Sequence, residues 1–268
     1  MLLPGGPANS HLTFHPYFTQ LSDRFRVIYF DYYGRGQSDY PESYEKITFE
    51  GDVEDLEGLR KALGLEQFHL YGFSYGGMVA QAYALKYGAH VKKLILANTL
   101  HSAEMWQKNH ENINRELSNQ FPEEWDQIME MRNKGIASSD SAMKPLFALH
   151  SKIIRFYNPD HAGRLLSEPK SRNDELYYTF AGRDIEFFIG NQVAALPDFR
   201  PHLKNLAMPV LIIAGRYDRA LYPRYQMEFK KYCPQATFVM MERSGSFSHI
   251  EEPETLLNLV REFLNKYD

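Results

Sequence analysis

Cysteine is almost absent from this chain: its 268 residues include one, Cys233, so no internal disulfide can form. A lone thiol is what a reducing compartment permits. In Lys231-Tyr232-Cys233-Pro234, between a helical pattern and a strand pattern, it reads as structural rather than nucleophilic. Positive charge is not in excess either, with 30 Lys and Arg against 34 Asp and Glu and a net charge of −4. No Lys/Arg-rich run interleaved with aromatics is available to neutralise phosphates, so nucleic acid is not an expected partner. No apolar run approaches the ~20 residues that span a bilayer, and no basic stretch followed by an apolar core opens the chain. The membrane is therefore not an expected partner, and the cytoplasm is the default location. Internal repeats and low-complexity tracts are also lacking.

What is present is ample apolar material: 44% of residues are hydrophobic and 24% charged, enough for one sizeable core and against disorder. Short β-branched or aromatic runs alternate with helical patterns, the signature of βαβ units around a mostly parallel sheet. Arg26 to Phe30 reads as a buried strand, followed by a helix with Val53, Leu56, Leu59 and Leu63 on one face and Gly64 as its stop. Phe68 to Tyr71 and Leu94 to Ala97 read as strands, separated by a helix from about Gly76 to Tyr87 whose Gly76, Ala80 and Ala84 form a smooth seam. From 102 to 194 the texture turns charged, aromatic and helical, with both tryptophans, Trp106 and Trp125. This reads as a helical lid inserted between two core segments, 1–101 and 195–268. Alternation resumes with Val210 to Ala214, a helical stretch near Tyr222 to Tyr232, the strand Thr237 to Met241, and a closing helix from Pro253 that carries Leu256, Leu257, Val260, Phe263 and Leu264 on one face.

The chemistry gathers where the second strand pattern meets its helix. Gly72-Phe73-Ser74-Tyr75-Gly76 fits G-x-S-x-G. A serine nucleophile must project from a sharp, strained turn, and the two glycines leave room for one. Its hydroxyl is weakly nucleophilic until a base removes the proton, so a histidine and an orienting carboxylate are expected. Asp218, in Ala214-Gly215-Arg216-Tyr217-Asp218, lies just past a strand, and it is preferred to Asp184 and Asp198, which fall in or beside the lid. Of ten histidines, His249 lies between the last strand and the last helix and is the expected general base. The oxyanion would be held by the N–H of Tyr75 and of Gly6, in Leu3-Pro4-Gly5-Gly6-Pro7. His11 and His15 are four apart without the Glu of a metalloprotease motif, so no metal is expected.

Together these residues resemble a known family, the α/β-hydrolases related to proline iminopeptidase and the tricorn-interacting aminopeptidase. The resemblance rests on Gly5-Gly6-Pro7 (H-G-G-P-G in the family), on Asp31-Tyr32-Tyr33-Gly34-Arg35-Gly36-Gln37-Ser38 (D-x-x-G-x-G-x-S), on the Ser74 turn, on the stretch ending at Asp218, and on His249. It implies an α/β-hydrolase fold and hydrolysis of a peptide, amide or ester bond through an acyl-enzyme with no cofactor, on a small-molecule or short-peptide substrate. Glu186, in Gly182-Arg183-Asp184-Ile185-Glu186-Phe187, resembles a lid glutamate that holds a substrate's free amino group in that family. Esterase action and a non-catalytic binding role on the same fold are the alternatives, and the oligomeric state is left open. The chain departs from the pattern at Pro4 and Ala8, which replace the histidine and last glycine of H-G-G-P-G, and at Arg219, a cation beside the acid that would repel a substrate ammonium. In the family a hairpin and a strand precede the Gly-Gly-Pro loop, and here only Met1-Leu2-Leu3 does, so a sheet short of N-terminal strands is expected.

Overall fold

The computed structural model describes residues 1–266. In chain order its elements are β1 (Leu2–Leu3), α1 (Phe49–Ala62), β2 (Phe68–Phe73), α2 (Tyr75–Lys86), β3 (Val91–Ala97), α3 (Ala103–Gln120), α4 (Pro122–Asn133), α5 (Lys144–Ile154), α6 (Asp174–Ala181), α7 (Asn191–Ala194), β4 (Val210–Gly215), α8 (Pro223–Met227), α9 (Phe229–Tyr232), β5 (Thr237–Met241), α10 (Ser248–Glu251) and α11 (Pro253–Asn265). The five strands form one sheet in the order β1-β2-β3-β4-β5, and every pairing is parallel.

Alternation of side chains along the strands divides the apolar residues between two faces. Leu70, Leu94, Leu96, Val210 and Ile212 pack toward α1 and α2 in one cluster. Tyr71, Phe73, Ile95, Leu211 and Ile213 pack on the other face against α11, whose Leu256, Leu257, Val260, Phe263 and Leu264 are all buried. Every residue of β4 is buried, which is why it reads as a continuous apolar run rather than an alternating one. Each such Leu or Ile removed from water stabilises the fold by about 1.5–3 kcal/mol.

The expected strand at Arg26 to Phe30 is reduced to a single parallel bridge, Leu2 with Tyr29, and a bond from the Leu2 N–H to Ile28 O at 2.9 Å. Its neighbour β1 offers only two residues, so the ladder stops there. Val27, Ile28 and Tyr29 are half-buried rather than buried. Between β3 and β4 the elements are helical, and Ile113, Leu117, Ile128, Met143, Phe147 and Ile154 make a small core of their own. Cys233 is buried. No helix among the described residues is long and apolar enough to cross a membrane.

Candidate active site

Parallel strands deliver their C-terminal loops to one edge of the sheet, and four such loops meet here. Ser74 follows β2, Asn98 follows β3, Asp218 lies three residues beyond β4, and Ser246 lies five beyond β5. Ser74 has φ 52° and ψ −120°, a backbone conformation that a non-glycine residue adopts only when its surroundings impose it. The imposition is visible: its N–H donates to Ala97 O at 3.0 Å, and its carbonyl accepts from the Gly77 N–H at 2.9 Å and the Thr99 hydroxyl at 2.6 Å. Gly76 is required by contact, since a Cβ there would lie 2.3 Å from Leu3 O. The Ser74 side chain makes no hydrogen bond among the described residues, and it borders a cavity of about 470 Å³.

Gly6 lines the same cavity. A Cβ on the preceding Gly5 would lie 2.9 Å from the Ser74 Cβ, so this loop passes directly against the serine. Tyr75 opens α2, and its N–H therefore has no acceptor within the helix. A buried network ties these parts together. Arg35, 0% exposed, donates from Nε to Pro7 O at 2.7 Å and makes a two-pronged ion pair with Asp52 at 2.8 and 3.0 Å. The Tyr75 hydroxyl donates to the same Asp52 carboxylate. One arginine thus anchors both the Gly-Gly-Pro loop and, through Asp52, the start of α2.

The acid side is arranged differently from expectation. Asp218, 1% exposed, accepts on Oδ1 from the Ala220 and Leu221 N–H groups at 3.0 and 2.8 Å and from the Ser246 hydroxyl at 2.8 Å. On Oδ2 it accepts from Asn98 Nδ2 at 3.3 Å. Burial pushes its pKa up, while the Leu221 N–H and the Ser246 hydroxyl draw it back. No hydrogen bond among the described residues joins it to His249.

His249 is 1% exposed and does not itself line the cavity, although Thr13, Phe73 and Phe247, which border it, contact the ring. Its Nε2 lies 3.0 Å from Thr13 O and must carry the proton, because a carbonyl only accepts. Its ring sits among Phe14, Phe18, Phe73 and Phe247, and burial lowers its pKa to about 4. Among the described residues, the structure therefore does not hydrogen-bond the expected base to Ser74 or to Asp218. Position 249 falls on α10, beyond the tip of the loop, and its aromatic surroundings draw it into the core. Of this loop, Ser246 and Phe247 border the cavity, and Ser246 is the one that bonds to Asp218.

Glu186 does line the cavity. Its Oε1 receives a long contact from the Tyr178 hydroxyl at 3.5 Å, its Oε2 is buried without a hydrogen bond, and burial raises its pKa while the Ser138 hydroxyl and Arg172 draw it back. Arg219 lies elsewhere, reaching Gln120 at 3.4 Å, so it is not a cation of this cavity; Arg155 and Arg172 line it and act electrostatically on Glu186. Asp184 and Asp198 are taken up by Arg132 and Arg200. His11 bonds to Asp31 at 2.7 Å, and the ring of His15 stacks on Tyr29.

A family model described as the alpha/beta hydrolase fold matches residues 1–253. The chain belongs to the alpha/beta hydrolase family. Within it, the chain is 29% identical to a proline iminopeptidase from Clostridium botulinum over 100% of its own length and 90% of that protein's. Among solved structures, a proline iminopeptidase from Mycobacterium smegmatis matches with a TM-score of 0.79 at 21% identity, covering 99% of this chain and 88% of that one. A thermophilic esterase from Thermogutta terrifontis matches with a TM-score of 0.69 at 24% identity, covering 99% and 89%. These two likenesses establish the hydrolase fold at the level of the backbone.

Two features of this hydrolase site were not anticipated. Ser246 could have been noticed from its place on the loop, since it is nearer the end of β5 than His249 is. The Arg35–Asp52 pair had no local signal, because its members are 17 residues apart and meet only in the folded chain.

Proposed function

We propose that this alpha/beta hydrolase takes short amides or peptides with a free amino group, in the manner of an aminopeptidase, with the scissile carbonyl at Ser74 and the ammonium at Glu186. The observation that carries the reading is the buried, unpartnered Glu186 Oε2 in the cavity that Ser74 borders. A buried acceptor without a donor costs free energy, which a ligand ammonium would offset. Lys144, Lys152 and Arg155 on the same cavity suit the carboxylate of a short peptide. The curated relative named a proline iminopeptidase points the same way.

In this reading Ser74 Oγ attacks the carbonyl carbon and gives up its proton to solvent while the N–H groups of Gly6 and Tyr75 hold the oxygen as it gains charge. The C–N bond then breaks, the amine leaves with a proton from solvent, and water releases the acid. The segment 102–194 acts as the lid that limits entry to small molecules, and the residues named need no metal or organic cofactor. Because no imidazole among the described residues hydrogen-bonds to Ser74, and His249 bonds to Thr13 instead, a second reading has its own support: a protein of this fold that binds such molecules with little turnover.

Binding can be measured apart from turnover in Ser74→Ala, by calorimetry with alanine and proline arylamides, free and N-acetylated, and with a short-chain aryl ester. The free amines are expected to bind at least about 10-fold more tightly than the blocked forms. Glu186→Gln removes a charge-assisted bond worth about 1.5–3 kcal/mol, so it should erase that preference. The preference should also fade as pH drops through the raised pKa of Glu186, because the protonated carboxyl no longer pairs with a cation. Equal affinity for free and blocked amines would defeat the aminopeptidase reading, and turnover of the ester alone by the wild-type protein would move it to the esterases.

A further inference from the structure

We infer that Ser246 fills the seat of the general base, so that Ser74 works without an imidazole and the chain is a binding or slowly acylated form of the fold. The inference rests on the reading of Ser74 as nucleophile and concerns what activates it. In a Ser-His-acid arrangement the base is the side chain that the acid holds against the nucleophile. Two side chains donate to Asp218, the Ser246 hydroxyl at 2.8 Å and the Asn98 amide at 3.3 Å, and both border the cavity with Ser74. Neither a hydroxyl nor an amide accepts a proton near neutral pH.

The two histidines nearest the site do not supply the missing base. His249 is committed to Thr13 O and packed among aromatic rings. Its loop is also pinned: the Ser246 N–H donates to Arg155 O at 2.7 Å, the Gly245 N–H to Glu251 at 2.6 Å, and the Ser248 hydroxyl to Asn98 Oδ1 at 3.3 Å. Turning the His249 side chain toward Ser74 would break its bond to Thr13 O and its aromatic packing, and moving its backbone would break these loop bonds as well. His110 borders the cavity, but its Nε2 already accepts from Trp106 Nε1 at 3.1 Å. That bond occupies the lone pair a base would use and leaves the proton on Nδ1.

With an imidazole at position 246, the Ser74 proton would pass to its free nitrogen as the O–C bond forms. The same proton would then reach the departing amine as the C–N bond breaks, and water would repeat the sequence to release the acid. With serine there, the proton has only solvent to go to, and the leaving amine must draw one from solvent. Ser246 borders open cavity, so a larger side chain at 246 has space to extend beside Ser74.

A fluorophosphonate probe tests this without knowledge of the substrate. Ser74 Oγ attacks phosphorus, the O–P bond forms, fluoride leaves, and the serine proton goes to whatever base is present. Labelling is followed by intact-protein mass for the wild type, Ser246→His, His249→Gln and Ser246→His with Ser74→Ala. Ser246→His should label about 10²–10⁴-fold faster than wild type, the usual contribution of general-base catalysis. Its rate should gain an acid limb near the pKa of ~6.5 of a free imidazole, whereas the wild-type rate should show no such limb. The Ser74→Ala double variant should not label, and His249→Gln should label at the wild-type rate. The inference is overturned if folded Ser246→His labels no faster than wild type. It is equally overturned if the wild-type rate has an acid limb that His249→Gln removes, an outcome readable even if Ser246→His does not fold. Amine binding by Ser74→Ala is a separate measurement, so failure of the substrate reading would not be mistaken for failure of this one.

Discussion

On the nucleophile side of the cavity, a fully buried Arg35 ties the Gly-Gly-Pro loop to Asp52, Asp52 accepts from Tyr75, and Ser74 is held in a strained turn by bonds on both sides. On the acid side, Asp218 is equally buried and equally well bonded, but its partners are two backbone N–H groups, an amide and a hydroxyl. Both sides are satisfied structurally, and in the reading proposed above only the first is equipped for chemistry. Hydrogen-bond satisfaction and catalytic competence are thus different properties: a serine serves Asp218 well as a donor and serves Ser74 not at all as a base.

The comparison breaks most violently at Arg35. Arg35→Met should leave Asp52 as an uncompensated buried carboxylate, at a cost of about 3–5 kcal/mol. It should also free Pro7 O, so that surviving folded protein positions Gly6 poorly. Urea unfolding reads the first effect and fluorophosphonate labelling the second. A loss below about 1 kcal/mol would mean that Asp52 takes up a proton and that the network does not hold the nucleophile side together.

The contrast between the two sides also marks how far the residue pattern could be read. Strands and helices of the core were legible because apolar period and glycine stops are local, and the Ser74 turn because two glycines flank it at fixed spacing. The placing of Asp218 just past β4 followed from the same logic. The base did not. Choosing among ten histidines by position between two elements led to His249, yet three residues along a loop separate a cavity-facing side chain from one buried among Phe14, Phe18 and Phe73. Which way a loop residue points is fixed by tertiary packing, to which neither period nor motif is sensitive. The segment Arg26 to Phe30 fails for a related reason, since an apolar run becomes a strand only where a partner of matching length lies beside it.

A second test sharpens the acid side through pH. His249 has its pKa lowered to about 4 by burial, against 6.5 for the free side chain. The unfolded chain therefore binds a proton that the folded chain excludes between those values, and stability present above pH 6.5 is lost as pH falls toward 4. Between pH 7 and pH 5 this amounts to about 2 kcal/mol for His249. His101 and His110, lowered by burial to about 4 and about 3, add in the same direction. His249→Gln should flatten its share of the slope of unfolding free energy against pH. An unchanged slope in that variant would place His249 in contact with solvent, and hence free to turn toward the cavity.

The smallest expected effect is at Ser246 itself. Ser246→Ala removes one of the donors to Asp218 while the Ala220 and Leu221 N–H groups and Asn98 remain. With most of the carboxylate's bonds kept, the loss should be about 1 kcal/mol, the net worth of one hydrogen bond, rather than the larger cost of an orphaned charge. A urea midpoint shifted by that amount with unchanged slope would identify Ser246 as one replaceable donor among several, which is what a side chain standing in another's place should be. A loss of about 3 kcal/mol or more would instead make Ser246 the principal support of Asp218. The two loops after β4 and β5 would then be held together by this serine, and the acid side would owe its arrangement to structure rather than to a vacated catalytic role.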